Sequence, residues 1–163
     1  MNLGRIYRIV HEGKPLNRAP KLAKAGAPEL VRALEHPNGW VRDTAQRLLV
    51  GQRSDAAVAD LQKLALSAKP VTSRVHALWT LDGMGKADAK LIRNALATGE
   101  PKVQVAALRI ADANPGLQPA LEADVLALTT NAVPEVEWQL AFSLGNYPSP
   151  AAFKQLVGLA VRR

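Results

Sequence analysis

Four prolines recur almost evenly along the chain. Pro37, Pro70, Pro101 and Pro134 are 33, 31 and 33 residues apart. A fixed period in this range is the signature of a repeat architecture. Pro is favoured in the first helical turn, where its missing N–H would lack a partner anyway, and a helix-like apolar pattern follows each of the four. The segments from Trp40, Thr72, Lys102 and Glu135 superimpose. One column reads Ala45, Ala77, Ala107, Leu140, and the column four residues later reads Leu49, Leu81, Ala111, Leu144. A spacing of four keeps both columns on one helix face, and small residues there let a second helix approach closely.

Further helices are expected between these, near 28–36, 55–67, 88–98, 118–130 and 149–161. Their apolar faces are Leu30, Val31 and Leu34; Val58, Leu61 and Leu64; Leu91, Ile92 and Leu96; Leu121, Val125 and Leu128; and Phe153, Leu156 and Leu159. Turn chemistry agrees with these limits. Asn38-Gly39 opens one helix, Ser54 and Ser149-Pro150 are cap signals, and Gly83 and Gly145 stand where C-terminal caps belong. A helical hairpin of about 32 residues cannot bury its own apolar face, so neighbours must stack. The pattern predicts an all-α chain: a right-handed α-solenoid of about four to five hairpins, preceded by a short extended N-terminal arm.

Composition fits. Of 163 residues, 48% are hydrophobic but only 4% aromatic. The apolar content is Ala, Leu and Val, which suits close helix packing and not a β-sandwich or barrel. No stretch approaches 18 uninterrupted apolar residues, so no membrane insertion is expected. The first 20 residues carry charge throughout and show no signal-peptide core. With no Cys, disulfides, thiol catalysis, Cys-ligated metal centres and covalent haem attachment are excluded for this stretch.

The net charge of +7 raises nucleic acid as a partner, but the charge is unevenly placed. Residues 1–25 hold Arg5, Arg8, Lys14, Arg18, Lys21 and Lys24 against Glu12 alone, so this leading arm carries +5. Residues 3–12 do not fit the repeat. Ile6, Tyr7, Ile9 and Val10 are β-formers between Gly4 and Gly13, which predicts one strand and then a basic linker. A lone strand has no mate in an all-helical chain, which points to a segment of a longer protein. The expected organisation is residues 1–26 as strand and linker left from a preceding domain, and 27–163 as the repeat domain.

The recurring Pro-x-Val-x-x-x-Ala-Leu-x-x-Leu/Ala pattern resembles HEAT-like repeats. Three segments resemble one family more specifically: Gly4-Arg5-Ile6-Tyr7-Arg8-Ile9-Val10, the run from Glu35 to Leu49, and the run from Val75 to Gly83. The family comprises large secreted bacterial proteins of planctomycetes and their relatives, named membrane-bound dehydrogenases or haem-binding domain proteins. They carry a sugar-dehydrogenase-type β-propeller, then HEAT-like repeats, then a c-type cytochrome domain. The resemblance implies that residues 4–10 close the preceding propeller and that the chain works in the periplasm or another extracytoplasmic space. The family's haem-attachment motif needs Cys, so no redox residue carries over onto this chain.

Several local patterns invite a chemical reading. Ala141-Phe142-Ser143-Leu144-Gly145 is one residue from a G-x-S-x-G nucleophile elbow, but that motif needs a strand-to-helix turn and Ser143 falls inside a repeat helix. Gly83-Met84-Gly85-Lys86 lacks the leading Gly and following Ser/Thr of a phosphate loop. His11, His36 and His76 have no second ligand at metal-binding helical spacing. Trp40, Trp79 and Trp138 suit stacking, yet they form no repeated ladder, and packing between repeats is the expected role. Asp43 with Arg42 and Arg47 suggests an Asp–Arg network ordering the helices. No catalytic, cofactor-binding or metal residue is expected. The candidate interaction surface is Trp40, Arg42, Asp43, Arg74, His76 and Trp79.

The expected function is a non-catalytic scaffold for protein contacts, needing no cofactor of its own, with flanking domains or a partner protein as ligand. The family resemblance implies a spacer between propeller and cytochrome. The alternative is a nucleic-acid-binding domain of the HEAT-like alkylpurine DNA glycosylase type, an analogy of fold alone. Its phosphate-tracking face should be uniformly basic. Here the helices after the prolines carry Arg42 and Arg47, then Arg74, then Lys102 and Arg109, then Glu135 and Glu137; the sign reverses, which disfavours a nucleic-acid partner. A HEAT-like lyase or chaperone of the bilin-attachment kind has no residue for or against it.

Overall fold

The apolar periodicity resolves into nine α-helices among the residues that the computed structural model describes, namely 7, 9, 11–13, 20–130 and 132–161. They are α1 (Ala27–Ala33), α2 (Gly39–Gln52), α3 (Val58–Ser67), α4 (Val71–Gly83), α5 (Ala89–Leu96), α6 (Pro101–Ala113), α7 (Gln118–Leu128), α8 (Pro134–Leu144) and α9 (Pro150–Val161). Among the described residues there is no strand. The expected strand at residues 4–10, and most of the basic linker after it, fall outside the described residues; Tyr7 and Ile9, which fall inside, are exposed.

The repeat prolines open their helices as expected, with a small drift. Pro101 and Pro134 are the first residues of α6 and α8, Pro70 is the N-cap of α4, and Pro37 precedes Asn38, the N-cap of α2. Asn38 Oδ1 accepts from the Trp40 N–H at 2.9 Å, Asp88 Oδ1 from the Leu91 N–H at 2.7 Å, and Ser149 Oγ from the Ala152 N–H at 3.1 Å. Each satisfies a donor that the helix start would otherwise orphan. Ser54 does not cap as expected: a 3₁₀ turn, Asp55–Ala57, follows it, and its side chain makes no cap hydrogen bond.

The expectation for Gly83 needs correction. Gly83 is the last residue of α4, not its cap. The left-handed residue that ends this helix is Gly85 (φ +70°). The Lys86 N–H returns to Leu81 O and the Gly85 N–H to Asp82 O, both at 2.8 Å, the double closure of a Schellman motif. Gly83 serves packing instead: a Cβ there would lie 2.9 Å from Val50 Cγ2 on α2. Gly145 is the C-cap of α8, as expected, in ordinary right-handed conformation at φ −63°.

The helices pack as two rows. In the even row α2 meets α4, α4 meets α6, and α6 meets α8. In the odd row α1 meets α3, α3 meets α5, α5 meets α7, and α7 meets α9. Across the rows, α1 packs on α2, α3 on α4, α5 on α6 and α9 on α8. One apolar core runs between them. Ala45, Ala77, Ala107 and Leu140 are all completely buried, as are Leu49 and Leu81. Leu22 and Ala25, from the segment before α1, are buried as well and extend the core at its N-terminal end. Phe153 departs from expectation. It is 69% exposed, because α9 turns Ala152, Leu156 and Leu159 inward instead.

Candidate interaction surface

Among the described residues, most side-chain hydrogen bonds between helices fall by register into three sets of rungs. The first set joins the two rows. Three positions before the alanine column stand Arg42, Arg74 and Gln104. Arg42 Nη1 donates to His36 O at 2.8 Å and Pro37 O at 2.9 Å, just beyond α1. Arg74 Nε donates to Ala65 O at 3.2 Å near the end of α3, and Gln104 Nε2 to Leu96 O at 2.8 Å at the end of α5. The Arg74 and Gln104 donors occupy carbonyls that a helix C-terminus leaves without intrahelical partners, and the Arg74 cation also opposes the negative end of the helix dipole; Arg42 ties down the turn after α1 instead. The fourth position of the column is Glu137.

The second set joins consecutive helices of the even row. Gln46 on α2 meets His76 on α4, Oε1 to Nδ1, at 2.7 Å. Arg109 Nε on α6 donates to Gln139 Oε1 on α8 at 2.9 Å. The third set lies at the helix ends. Asn114 Nδ2 donates to Asp82 Oδ1 at 2.9 Å, and Asn146 Nδ2 to Asp112 Oδ1 at 3.2 Å. Asp112 is the densest node, since Ser143 Oγ donates to its Oδ2 at 2.8 Å and Gln139 Nε2 does so at 3.1 Å. In the odd row, Arg93 does comparable work: its Nε pairs with Asp124 Oδ2 at 2.9 Å, and its Nη2 donates to Ala120 O at 2.6 Å.

The six surface candidates divide accordingly. Arg42 and Arg74 are rungs of the first set, and Arg74 is buried, so it presents little to a partner. His76 is a rung of the second set. The carboxylate of Asp43 lies 3.9 Å from its Nε2. Burial, and then the Arg42 guanidinium, push the His76 pKa below its ordinary value, and Asp43 opposes them. The expected Asp–Arg network does not form at Asp43: the carbonyls after α1 take the Arg42 guanidinium, and Asp43 faces histidine. Trp79 is half-buried, as packing between repeats requires. Trp40 and Trp138 are not: they are 61% and 62% exposed.

His76 and Trp79 do share one feature that a partner could use. They line an open groove of about 260 Å³ between α4 and α6, with Thr72, Lys102, Arg109 and Glu135 along its edges. Trp40 and Arg74 do not line it. The groove mixes two cations, a carboxylate and an indole, which suits a polar protein surface.

The remaining motifs resolve structurally. Ser143 sits within α8, fully buried. Lys86, after the glycines, pairs with Asp55 at 2.8 Å. His36 Nδ1 accepts from the Asn38 N–H at 3.0 Å. Among the described residues, no group of three or more His, Asp or Glu is placed to hold a metal ion, and no helix is long and apolar enough to cross a membrane.

Comparison with protein-family models yields no match, and no curated protein matches the chain significantly.

The rungs of the first set had a signal in the sequence: a column reading Arg42, Arg74, Gln104, three before the alanines. The Asp–Asn rungs had a weaker one, because Asp82–Asn114 spans 32 residues and Asp112–Asn146 spans 34.

Proposed function

We infer that residues 27–163 form a right-handed α-solenoid of four to five HEAT-like hairpins acting as a non-catalytic scaffold for protein contacts. One observation carries the reading. Three side chains of a chemically useful type, His76, Asp112 and Ser143, are each engaged in hydrogen bonds between neighbouring helices. Groups held this way order a stack of repeats. The same holds for Arg42 and Arg74, whose guanidinium groups join the two rows, and for Arg93, which pairs within the odd row.

In this reading the scaffold spaces a propeller dehydrogenase domain from a cytochrome c domain in a larger extracytoplasmic oxidoreductase. Support comes from the resemblance of residues 4–10, 35–49 and 75–83 to that family. The test is an immunoblot of source cells with antibody raised against this chain. The expected band is far larger than 17.5 kDa and stains for covalent haem. A haem-free band at the mass of this chain would refute the spacer role. Against nucleic acid as the ligand stands the even row, whose charge turns from Arg47 on α2 to Glu135 on α8. Any DNA binding should be weak and lost at moderate salt or on removal of residues 1–25.

A further inference from the structure

The junctions of the even row are not alike. Gln46 and His76 bond across from α2 to α4, and Arg109 and Gln139 do the same from α6 to α8. Both rungs follow one rule of register. On the earlier helix the partner stands one or two residues after the alanine column, and on the later helix one before it. Between α4 and α6 those two places hold Trp79 and Ala106, whose side chains cannot make such a rung. Among the described residues no side-chain hydrogen bond joins α4 to α6; the nearest, Asn114 to Asp82, lies past the end of α6.

Where the rung is missing lies the groove of about 260 Å³. Val75, Trp79, Val105 and Ala106 supply its apolar lining. The polar groups beside them are held from outside, His76 by Gln46 and Arg109 by Gln139. Among the described residues only the Nε of Arg109 is engaged, so its Nη edge stays open while the neighbouring rung fixes its direction. Lys102 precedes Arg109 by seven residues, two turns of α6, which sets the two cations about 10 Å apart along one face. Both are exposed, and among the described residues neither lies within ion-pair distance of a carboxylate.

We propose that this groove binds an acidic segment of a partner protein, one that sets an aromatic or large aliphatic side chain beside Trp79 and a carboxylate on each of Lys102 and Arg109. The proposal rests on the scaffold reading and names the chemistry of its partner. Charge and size select this occupant. Two cations without carboxylate partners, two turns apart with an indole between their helix and the next, match two anions with an apolar group between them. The open Nη edge of Arg109 suits a carboxylate, which takes parallel N–H donors. The volume holds one or two side chains and falls short of the roughly 300–1,000 Å³ that encloses a small-molecule ligand. Trp and Arg are also the residue types that anchor protein interfaces. Glu135 lines the same groove, outside ion-pair distance of either cation. Its charge opposes a continuous phosphate chain, which favours a protein segment over nucleic acid.

Titration of the full chain with a short synthetic peptide, a phenylalanine flanked by glutamates, tests this. The readouts are the indole N–H resonances of the chain and the fluorescence anisotropy of the labelled peptide. The Trp79 indole should shift as the peptide binds, and that of Trp40 on α2 should not. Glutamine in place of the glutamates, or alanine in place of the phenylalanine, should weaken binding about fivefold. Lys102→Glu should weaken it about tenfold. Lys63→Glu, the same charge change on α3 in the odd row, should weaken it by no more than about twofold. Both lysines are exposed, so helical circular dichroism should not change in either variant. No binding at millimolar peptide, an unmoved Trp79 indole, or equal losses from the two lysine variants overturns the proposal. A single-stranded oligonucleotide that moves the Trp79 indole at a lower concentration than the peptide also overturns it and gives the groove to nucleic acid. Failure of the peptide leaves the spacer role standing, since the haem-stained immunoblot tests that separately.

Discussion

Asp112 is the residue whose removal should tell most about how the repeats hold together. It accepts from Ser143, Gln139 and Asn146, all contributed by α8 or the turn after it. A hydrogen bond to a charged group is worth about 1.5–3 kcal/mol net, but the three are not additive. Asn146 is exposed and recovers a water partner at little cost. Gln139 keeps its bond to Arg109. Ser143 is fully buried, and its hydroxyl must fall back on a carbonyl of its own helix. Asp112→Ala should therefore cost about 2–3 kcal/mol, or roughly 4–12 °C in melting temperature for a chain of this size. Ser143→Ala removes only the donor and leaves a half-exposed carboxylate that water can reach, at about 0.5–1.5 kcal/mol. The double variant should fall short of the sum by about 1 kcal/mol, the coupling of a contacting pair. Urea unfolding followed by circular dichroism supplies all four corners of the cycle. Amide exchange adds location: α8 and α9 should lose protection, and α2 should not, because each hairpin of a repeat stack feels chiefly its neighbours. A cost under about 0.5 kcal/mol for Asp112→Ala, or strictly additive singles, would refute the reasoning.

Other substitutions test single contacts. Gly83→Ala should destabilise by about 1 kcal/mol, because its Cβ meets Val50; in a Val50→Ala background the same change should stabilise by a similar amount through helix propensity, and identical effects in both backgrounds would remove Val50 as the cause. Tyr147 is buried, its hydroxyl has no hydrogen-bond partner, and its pKa is pushed up to about 12 by burial and then by Asp112, Glu122 and Asp124. Tyr147→Phe should thus be neutral or stabilising by up to about 1 kcal/mol and should delete the highest phenol step from an ultraviolet titration. Because the folded state holds His76 below its ordinary pKa of 6.5, the unfolded chain binds more protons just below that pH. Stability from this group is complete above pH 6.5 and is lost as pH falls toward the folded-state value. His76→Gln should flatten that part of the pH profile in denaturant midpoints, and an unchanged slope would assign it to another group.

The helical framework was legible because it rests on local rules. The buried Ala45, Ala77 and Ala107 follow from periodicity, and Asn38 and Ser149 cap for the reasons their side chains suggest. The polar ladder was less legible. The Asp112–Asn146 rung depends on how far one helix slides along the next, and no single helix encodes that phase. The same gap misplaced Phe153. A one-helix pattern does not show which apolar side chains α9 turns inward, since that depends on what the helix packs against. Arg74 reads as a surface cation by residue type, yet the Ala65 carbonyl within reach draws it into the hairpin.

The central claim is that the chain is a row of hairpins, each stabilised by its neighbours and joined by polar rungs. Removing residues 132–163 takes away α8 and α9 and leaves every rung among α1 to α7 in place. A stable array needs at least three stacked repeats, and three hairpins remain in α1 to α6, so the shortened chain should keep the helical circular dichroism of the full chain per residue and unfold cooperatively at a lower temperature. A random-coil spectrum, or a non-cooperative melt, would mean that the core depends on contacts across the whole molecule, and would contradict the account.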